Sequence, residues 1–371
     1  MKATTLARVE NRLRPFLIRL PPKFVISEYS KGRLDFLMKL KEESSCEHYI
    51  NPNLSRELWG IKFKSPIMNA AGMFKNGECY EMVAKQCAGA YLGGTGTWNP
   101  RNGNERLDIS LPFVPYPRSH AASNWLGLPN EGDVINAERA SKLERIADCP
   151  VGWSVMGSPD FQGEEKLINL VKGMWLYKEA GVDFIEINES CPNTENRFLQ
   201  DSGLAERLKY IKEKFLDKRD RRIPVIVKFS NDTVLKQVPR LLDLLFQYDY
   251  DGVNFGNTSV DYERRRWMID LKERRLYDFF VKTFGGGISG KPLKKDSLHL
   301  ASFAVDYANV KKPSQEFHVI RTGGIETIED IKESERAGIS LNQWYTWYIE
   351  NFAKYGHNVY SRLFIEFERL L

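Results

Sequence analysis

Residues 188–194 of this chain combine side-chain types whose spacing could support acid–base chemistry. They read Asn188-Glu189-Ser190-Cys191-Pro192-Asn193-Thr194 and follow an apolar run, Asp183–Ile187, that is typical of a buried β-strand. A cysteine acts as a base or nucleophile only as its thiolate, and the proline fixes the turn that presents the side chains at the strand end. A small buried cysteine in a tight turn is the structural alternative. The flanking asparagines surround the thiol with amide donors and acceptors, which favours chemistry at Cys191.

The composition is typical of a globular protein with a full hydrophobic core. With 371 residues and 42% apolar content, the chain can form one large domain or two ordinary ones. No segment approaches the roughly 18 uninterrupted apolar residues of a membrane span, and the first residues lack the apolar core of a secretory signal. Five cysteines at unrelated spacings and scattered histidines argue against a disulfide framework or a bound metal, and they favour a reducing compartment.

The charge distribution argues against a nucleic-acid partner. The net charge is +5, a mild excess, and the two basic clusters, Lys212–Arg222 and Arg264–Arg275, are interleaved with acidic residues. Such mixed clusters predict solvated helix faces, whereas nucleic-acid binding needs a one-sided basic patch with stacking aromatic rings. We therefore expect no nucleic-acid binding.

Short apolar segments alternate with helix-length segments along most of the chain. The segments predicted as strands are Pro66–Ala71, Ala90–Thr95, Val151–Gly157, Asp183–Ser190, Pro224–Ser230, Gly252–Thr258, Phe317–Gly323 and Ile339–Thr346. The intervening segments with a period near 3.6 include Glu164–Ala180, Leu204–Phe215, Leu235–Phe246 and Ile328–Ala337. Eight strand–helix repeats predict an α/β fold, a parallel (β/α)8 TIM barrel. An open doubly wound sheet is the alternative, but Asn69-Ala70-Ala71-Gly72 after the first strand is not a GxGxxG fingerprint.

Two segments lie outside this repeat. Residues 96–150 form a long insertion rich in Pro, Asn and Gly, of the kind that covers an active-site mouth. Residues 1–50 are predicted as an N-terminal helical extension to a barrel domain, residues 51–371, with Pro21-Pro22 separating two amphipathic helices. Basic side chains accompany the first helix, so it could lie on an anionic membrane surface; packing on the barrel wall fits the pattern equally well. The two apolar stripes consist of Leu6, Val9, Leu13, Phe16, Leu17 and Leu20, and of Leu34, Phe36, Leu37 and Leu40.

The ends of the predicted strands carry glycines, hydroxyl groups and lysines. Because a (β/α)8 barrel builds its site at the carboxyl ends of its strands, Gly323-Gly324 and Tyr345-Thr346 after the last two strands predict a phosphate site. Gly285–Gly290 adds a segment that we interpret as a flexible, donor-rich loop. Lys228 lies in an apolar strand, where it forms either a structural salt bridge or a contact with an anionic cofactor edge. Lys75 could bind a substrate carboxylate.

These motifs together carry a resemblance to a known family. Asn188–Asn193 matches the Asn-x-Ser-(Cys/Ser)-Pro-Asn signature of the dihydroorotate dehydrogenases, and Asn69–Glu78, Asn124-x-x-Gly127-Leu128 and Asn257-Thr258 match further marks of that family. The chain resembles the family from about residue 56 to about residue 350, with further likeness at the amino terminus. The resemblance implies a flavoenzyme that uses FMN to oxidise dihydroorotate to orotate in pyrimidine biosynthesis.

The resemblance also implies roles for individual residues. Cys191 would remove a proton from the dihydroorotate ring while hydride passes to the flavin. The implied substrate contacts are Lys75, Asn124, Gly127, Leu128, Asn188, Asn193, Asn257 and Thr258. The implied FMN contacts are Ala71, Gly72, Thr95, Asn188, Lys228 and Gly290, with the phosphate on Gly323, Gly324, Tyr345 and Thr346. The residues that depart from the family pattern near these positions are Trp125, Gly256, Trp344 and Trp347.

The resemblance leaves the electron acceptor open, because the sequence mixes two branches of the family. The cysteine base and Ser154–Gly157 are similar to the soluble class that uses fumarate or NAD. Lys75, Ser289–Leu293 and the N-terminal helices are similar to the membrane-associated class, in which such a helical pair, here residues 6–42, forms a quinone tunnel. We expect a quinone-linked enzyme that is peripheral on the cytoplasmic side of a membrane through residues 1–42, while homodimerisation stays open.

Three alternatives remain for the function. The same reaction could use fumarate or NAD in a soluble cytoplasmic enzyme. A related flavin-dependent dihydropyrimidine reductase could act on uracil-like rings, but an uncharged ring gives the Lys75 ammonium nothing to pair with. The non-enzymatic alternative is an FMN-binding interaction protein.

Overall fold

An eight-stranded parallel sheet forms the centre of the computed structural model, which describes residues 1–189 and 203–368. Its strands alternate with helices in the order that the sequence predicts. The strands, numbered in chain order, are β1 (Arg56–Leu58), β2 (Ile61–Phe63), β3 (Ile67–Asn69), β4 (Tyr91–Gly96), β5 (Glu105–Arg106), β6 (Ile109–Ser110), β7 (Phe113–Tyr116), β8 (Ala121–Asn124), β9 (Val151–Val155), β10 (Phe184–Asn188), β11 (Val225–Ser230), β12 (Gly252–Asn257), β13 (Gly287–Gly290), β14 (His318–Thr322) and β15 (Leu341–Trp344). The helices are α1 (Ala3–Leu17), α2 (Pro22–Lys41), α3 (Tyr80–Lys85), α4 (Asp133–Ser141), α5 (Gly163–Glu179), α6 (Leu204–Ile211), α7 (Val238–Gln247), α8 (Tyr262–Arg266), α9 (Arg274–Thr283), α10 (Lys294–Lys311), α11 (Ile328–Arg336), α12 (Thr346–Tyr355) and α13 (Val359–Glu368).

The parallel sheet curls into a nearly closed barrel. Its strand order is β3-β15-β14-β12-β11-β10-β9-β4. The two end strands meet through the Asn69 side chain, which accepts a hydrogen bond from Leu92 N at 3.2 Å and donates one to Leu92 O at 2.8 Å. Each of the eight predicted strand segments overlaps one of these strands. The predicted (β/α)8 barrel is therefore confirmed, and the open doubly wound sheet is excluded.

The barrel interior has an apolar layer and, closer to the carboxyl ends of the strands, a polar layer. Alternate residues of a strand face the same side of a sheet, so the two layers lie two residues apart along each strand. The apolar layer packs on the β1–β2 hairpin and includes Phe63, Met68, Leu92, Phe184, Ile226, Ile320 and Leu341. The polar layer consists of Glu186, Lys228, Asn254, Thr322 and Gln343, which hydrogen-bond to one another.

The glycine-rich segment Gly285–Gly290 is not a loop, so this prediction was wrong. Gly287–Gly290 forms β13, which pairs with β8 in an antiparallel sheet of order β13-β8-β7. The glycines are needed because the neighbouring backbone is close: a Cβ added to Gly290 would lie 2.2 Å from the carbonyl oxygen of His120. The other two strands of this small sheet, β7 and β8, belong to the insertion, residues 96–150, and the sheet lies beside the barrel mouth.

The basic cluster Arg264–Arg275 is not uniformly solvated, which corrects a second prediction. Arg265 is fully buried. Its guanidinium donates to Asp296 at 2.5 Å, to Asp232 at 3.3 Å and to Ser259 at 2.9 Å. A buried arginine needs such partners for its charge and for each N–H group, and residues distant in sequence supply them here.

The N-terminal helical pair, α1 and α2, packs on the barrel beside α12 and β7. α2 begins at Pro22, as the Pro21-Pro22 break predicts, because proline is favourable in the first turn of a helix. Ala3 and Ala7 of α1 and Phe36 of α2 join the main hydrophobic core. The pair therefore packs on the barrel wall.

The apolar stripe predicted for α1 divides between two surroundings. Leu6 packs against the main core, whereas Val9, Leu13, Phe16 and the following Leu20 are exposed. In Phe16, 67% of the side chain is accessible. Within the part of the chain that the structure describes, none of the helices has the length and apolar character that crossing a membrane requires. The exposed residues form an apolar patch on the outer face of the helical pair.

Candidate active site

A cavity of about 1080 Å³ opens at the carboxyl ends of the barrel strands, and we name it the barrel-mouth cavity. Because parallel strands end on the same side of a barrel, residues distant in sequence converge there. The predicted site residues that line it are Ala71, Gly72, Lys75, Thr95, Asn124, Leu128, Asn188, Lys228, Asn257, Thr258, Gly290, Gly323, Gly324, Tyr345 and Thr346. These positions stretch over most of the chain, so their convergence is a property of the fold.

Three predicted site residues are not among this lining. Gly127 lies behind it: a Cβ added there would lie 2.2 Å from the Asn104 side chain, and the Gly127 carbonyl accepts a hydrogen bond from Arg101. Gly127 thus shapes the turn that presents Leu128. Cys191 and Asn193 lie outside the described residues, so their positions and roles stay predictions.

A chain of amides and hydroxyls crosses one wall of the barrel-mouth cavity. Asn257 donates to the Asn188 side-chain oxygen at 2.9 Å, and Asn188 donates to the Thr95 hydroxyl at 3.4 Å. The Thr95 hydroxyl lies 3.0 Å from that of Ser154. Within the described residues, the buried hydroxyl of Thr258 has no hydrogen-bond partner, so a polar ligand atom would satisfy it. This wall can therefore recognise a ligand with several donors and acceptors.

The opposite end of the cavity is suited to an anionic group. Gly324 has a φ of 71°, and a Cβ added to it would lie 2.5 Å from the Cα of Lys294, so only glycine leaves its backbone accessible. α12 begins at Thr346, and the N–H groups and dipole of a helix start favour negative charge. Burial lowers the pKa of Lys294, but hydrogen bonds to Glu326 and Asp330 raise it overall, which keeps this neighbouring ammonium charged. The glycine backbone and the helix start fit a phosphate group, whereas the Lys294 ammonium lies outside the lining and is paired with Glu326 and Asp330.

The floor of the cavity is the buried polar layer of the barrel. Lys228 donates to Glu186 at 3.2 Å and to the Gln343 side-chain oxygen at 3.0 Å. Gln343 and Asn254 donate in turn to the second oxygen of Glu186, at 2.7 Å and 2.8 Å. Lys228 and Gln343 line the cavity, whereas Glu186 lies below them. The structural salt bridge, one of the two alternatives predicted for Lys228, is therefore present. The same lysine also lines the cavity.

Sequence reasoning missed Glu186, although a signal for it was available. Glu186 is a carboxylate in the middle of the apolar run Asp183–Ile187. It lies two residues before Asn188, and the period of a strand places both on the same face. That face is the barrel interior. His120 was missed as well; its Nδ1 lies 2.9 Å from Glu326 and its ring lines the cavity.

The positions that depart from the family pattern have different surroundings. Trp344 packs its ring against Tyr348 and Tyr360, and Trp125 lies outside the lining against Phe284. Trp347 does line the cavity and stacks on His120, with 4.7 Å between ring centroids. Trp344 and Gly256 line the cavity as well, so three of the four departing residues lie at its wall, and the large side chains still leave it open.

A second cavity of about 1120 Å³ lies between the helical pair and the barrel, and we name it the helical-pair cavity. Most of its lining is apolar, including Leu6, Leu17, Phe36, Leu37, Met73 and Ile349. A polar group also faces it: Arg14 pairs with Glu10 and Glu350, and the Tyr29 hydroxyl donates to Glu10 at 2.8 Å. Such a cavity fits a largely apolar ligand that has a few polar atoms.

The two cavities share a wall. Phe113, Tyr345 and Thr346 line both of them. Arg33 of α2 donates to the Tyr345 hydroxyl at 3.1 Å, which attaches the helical pair to this wall. Two ligands, one in each cavity, would therefore be separated from each other by about one layer of side chains.

This fold and site define a (β/α)8-barrel protein whose cavity at the strand ends fits a phosphate-bearing ligand and lies beside a second, mostly apolar cavity. The sequence profile of the family described as dihydroorotate dehydrogenase matches residues 53–369. The chain belongs to the dihydroorotate dehydrogenase family.

Individual relatives agree with this assignment. A protein of Christiangramia forsetii named dihydroorotate dehydrogenase (quinone) is 27% identical over 348 residues, which cover 91% of this chain and 93% of that protein. A protein of the same name from Synechococcus sp. (strain JA-3-3Ab) is 30% identical and covers 84% of this chain and 78% of its own length. A ligand-free crystal structure of the enzyme from Eimeria tenella superposes with a TM-score of 0.75 at 22% identity, covering 92% of this chain and 95% of that one. This last likeness supports the fold.

Proposed function

We propose that this protein is a dihydroorotate dehydrogenase that transfers electrons from dihydroorotate to a quinone. The observation that carries the proposal is the pair of cavities with a common wall: a polar one at the strand ends and a mostly apolar one under the helical pair. Relatives named dihydroorotate dehydrogenase (quinone) match over most of their length, which supports both the substrate and the acceptor.

The barrel-mouth cavity fits FMN. Gly323, Gly324 and the start of α12 would hold the phosphate, and the small side chains of Ala71 and Gly72 leave space for a planar ring system. Lys228 would contact an electron-rich edge of that ring system. FMN, when bound, accepts the equivalent of a hydride from the substrate and later releases two electrons.

Residues of this chain would bind and orient dihydroorotate beside that group. The Lys75 ammonium pairs with the substrate carboxylate, and Asn124, Asn188 and Asn257 exchange hydrogen bonds with the ring amides. Cys191, which lies outside the described residues, takes a proton from one ring carbon while the neighbouring carbon loses a hydride. Loss of H⁺ and H⁻ from adjacent carbons forms the C=C bond of orotate.

The helical-pair cavity would take the quinone. Two electrons and two protons convert a quinone to its quinol, and the shared wall of Phe113, Tyr345 and Thr346 sets a short transfer distance. The apolar patch around Leu13 and Phe16 would touch a membrane surface, where long-chain quinones dissolve. Basic residues beside that patch, such as Arg12 and Arg19, would pair with anionic lipids.

An acceptor assay tests the proposal. We expect purified protein to contain FMN, dihydroorotate to bleach it without oxygen, and a quinone to restore it at least tenfold faster than fumarate or NAD. Anionic vesicles that contain a long-chain quinone should bind the protein and support turnover. Restoration of colour by fumarate or NAD alone would reassign the acceptor, and flavin that dihydroorotate does not bleach would contradict the whole proposal.

A further inference from the structure

We infer that Glu186 is a positioning residue for the redox reaction, because it fixes Lys228 and opposes its charge and thereby sets how readily bound FMN is reduced. The inference rests on the proposed function, in which FMN occupies the barrel-mouth cavity. Glu186 acts through its neighbours, since Lys228 and Gln343 line that cavity and Glu186 does not.

The hydrogen bonds around Glu186 require an ionised carboxylate. One oxygen accepts from the Lys228 ammonium, and the other accepts from the side-chain amides of Asn254 and Gln343. All of these neighbours are donors, so a neutral carboxyl group would direct its own O–H toward another donor. Glu186 is 1% exposed, and water cannot replace these partners. The site therefore stores one fixed negative charge beneath the cavity.

The same network fixes the position of the Lys228 ammonium. Lys228 is 4% exposed and lies 3.2 Å from Glu186 and 3.0 Å from the Gln343 oxygen. Gln343 is itself held, because it donates to Glu186 and accepts from the Thr322 hydroxyl at 3.0 Å. A buried ammonium with so many restraints cannot turn away when the charge of a ligand above it changes.

The charge pair affects the reduction of any electron-accepting group in the cavity. Reduction adds electron density to the flavin ring, and a nearby cation stabilises the product. Burial weakens solvent screening, so the Glu186 carboxylate next to that cation cancels much of this stabilisation. Glu186 should therefore lower the midpoint potential of bound FMN and favour delivery of its electrons to the acceptor.

The test is the midpoint potential of the holoenzyme, measured by anaerobic titration against a reference dye. Glu186→Gln keeps the size of the side chain and removes the charge. We expect the preference for reduced over oxidised FMN to rise at least tenfold, which is about 30 mV for a two-electron couple. Asp251→Asn is the matched control, since Asp251 is also 1% exposed and pairs with Arg219 and Arg222 just before β12, at the amino end of the barrel. Its potential should equal that of the wild type.

A double-mutant cycle separates positioning from general disruption. In a Lys228→Met background the buried carboxylate has lost its cation and takes up a proton. Glu186→Gln should then leave the potential nearly unchanged, because it no longer removes a charge. If Glu186→Gln does not retain FMN, Glu186→Asp replaces it; the shortened carboxylate withdraws from Lys228 and should raise the potential by a smaller amount.

Three results would overturn the inference: an unchanged potential in the Glu186 variant that holds FMN, an equal shift in Asp251→Asn, or a full shift in the Lys228→Met background. Failure of the proposed function has a different signature, namely wild-type protein that lacks FMN or whose FMN dihydroorotate does not bleach.

Discussion

The Lys75 ammonium supplies a positive charge at the wall of the barrel-mouth cavity, beside the glycine turn that follows β3. A Cβ added to Gly72 would lie 3.9 Å from its Nζ. A hydrogen bond to a charged group contributes about 1.5–3 kcal/mol, so Lys75→Met should raise the KM for dihydroorotate roughly 10- to 150-fold. FMN content should stay the same. Steady-state kinetics and the flavin absorbance of the purified variant measure the two effects.

Lys291→Met is the control for Lys75, because Lys291 also lines the barrel-mouth cavity and carries the same charge. The control should change the KM for dihydroorotate less than about threefold if Lys75 makes a specific contact. Equal increases in both variants would mean that the cavity attracts the substrate carboxylate only through its overall field. Loss of FMN from Lys75→Met would place Lys75 in the flavin site instead.

How far single residues can be predicted from the sequence depends on whether their partners are local. Lys228 and Asn188 were found because each stands at the end of an apolar strand and the barrel rule assigns that end to the site. Glu186 was missed because every residue of the run Asp183–Ile187 was assigned to a buried strand without regard to its face. Its position two residues before Asn188 would have placed it on the same face as that site residue. Arg265 could not be predicted as buried, since Asp232 and Asp296, which compensate its charge, come from other parts of the chain.

Among the helices, α4 carries a buried acid at its first position. Asp133 is 1% exposed, and the Tyr177 hydroxyl donates to it at 2.8 Å. Burial raises the pKa of Asp133 to about 7, although the hydrogen bond from Tyr177 lowers it. Because the folded chain binds this proton and the unfolded chain does not, stability falls as the pH rises from about 4 to about 7, by up to about 1.4 kcal/mol per pH unit.

Asp133→Asn should remove this pH dependence. The free energy of unfolding of the variant, relative to the wild type, should increase from pH 4.5 to pH 7 and level off above the folded-state pKa, as measured by urea unfolding. Glu138→Gln on the same helix is the control: the hydrogen bond from Lys142 lowers the pKa of Glu138 from 4.5, so its contribution to stability changes only below about pH 4.5 and this variant should show no trend between pH 4.5 and pH 7. If the difference in unfolding free energy between Asp133→Asn and wild type did not change with pH, the raised pKa assigned to Asp133 would be wrong.

The strands of the barrel were easier to predict than the small sheet and the helices that pack around the barrel. All eight barrel strands follow from short apolar runs with polar ends, because a buried parallel strand requires that pattern. β13 was predicted as a loop because glycine is rare in strands. Gly290 is required there because the backbone of His120 lies so close, and this contact depends on the tertiary structure, which the local sequence does not reveal. The stripe on α1 revealed an amphipathic helix but not that its apolar residues would divide between core and solvent.

At the scale of the whole molecule, the barrel-mouth cavity and the helical-pair cavity lie on opposite sides of one wall. Phe113 and Thr346 touch both, and Tyr345 is fixed by Arg33 from the helical pair. Substrate and acceptor would then use separate entrances, so each half-reaction can be blocked without the other. To block only the transfer to the acceptor, a substitution must be made at a position that lines the helical-pair cavity and does not contribute to the packing of the barrel.

Gly32 is such a position. It lines the helical-pair cavity in the middle of α2, and a Cβ added to it would meet no atom within 4 Å. Gly32→Trp should therefore fill part of the cavity without disturbing the fold, and it replaces a residue that is unfavourable inside a helix. We expect quinone-dependent turnover to fall at least tenfold, whereas reduction of a water-soluble dye with dihydroorotate should change less than twofold.

Gly32→Ala is the matched control, since one methyl group improves the helix and leaves the cavity open; its quinone turnover should equal that of the wild type. Parallel loss of quinone and dye activity in Gly32→Trp would mean that the helical pair supports the barrel-mouth cavity itself. Undiminished quinone turnover would mean that the acceptor reaches the flavin by another entrance, and the shared wall of Phe113, Tyr345 and Thr346 would then have no part in electron transfer.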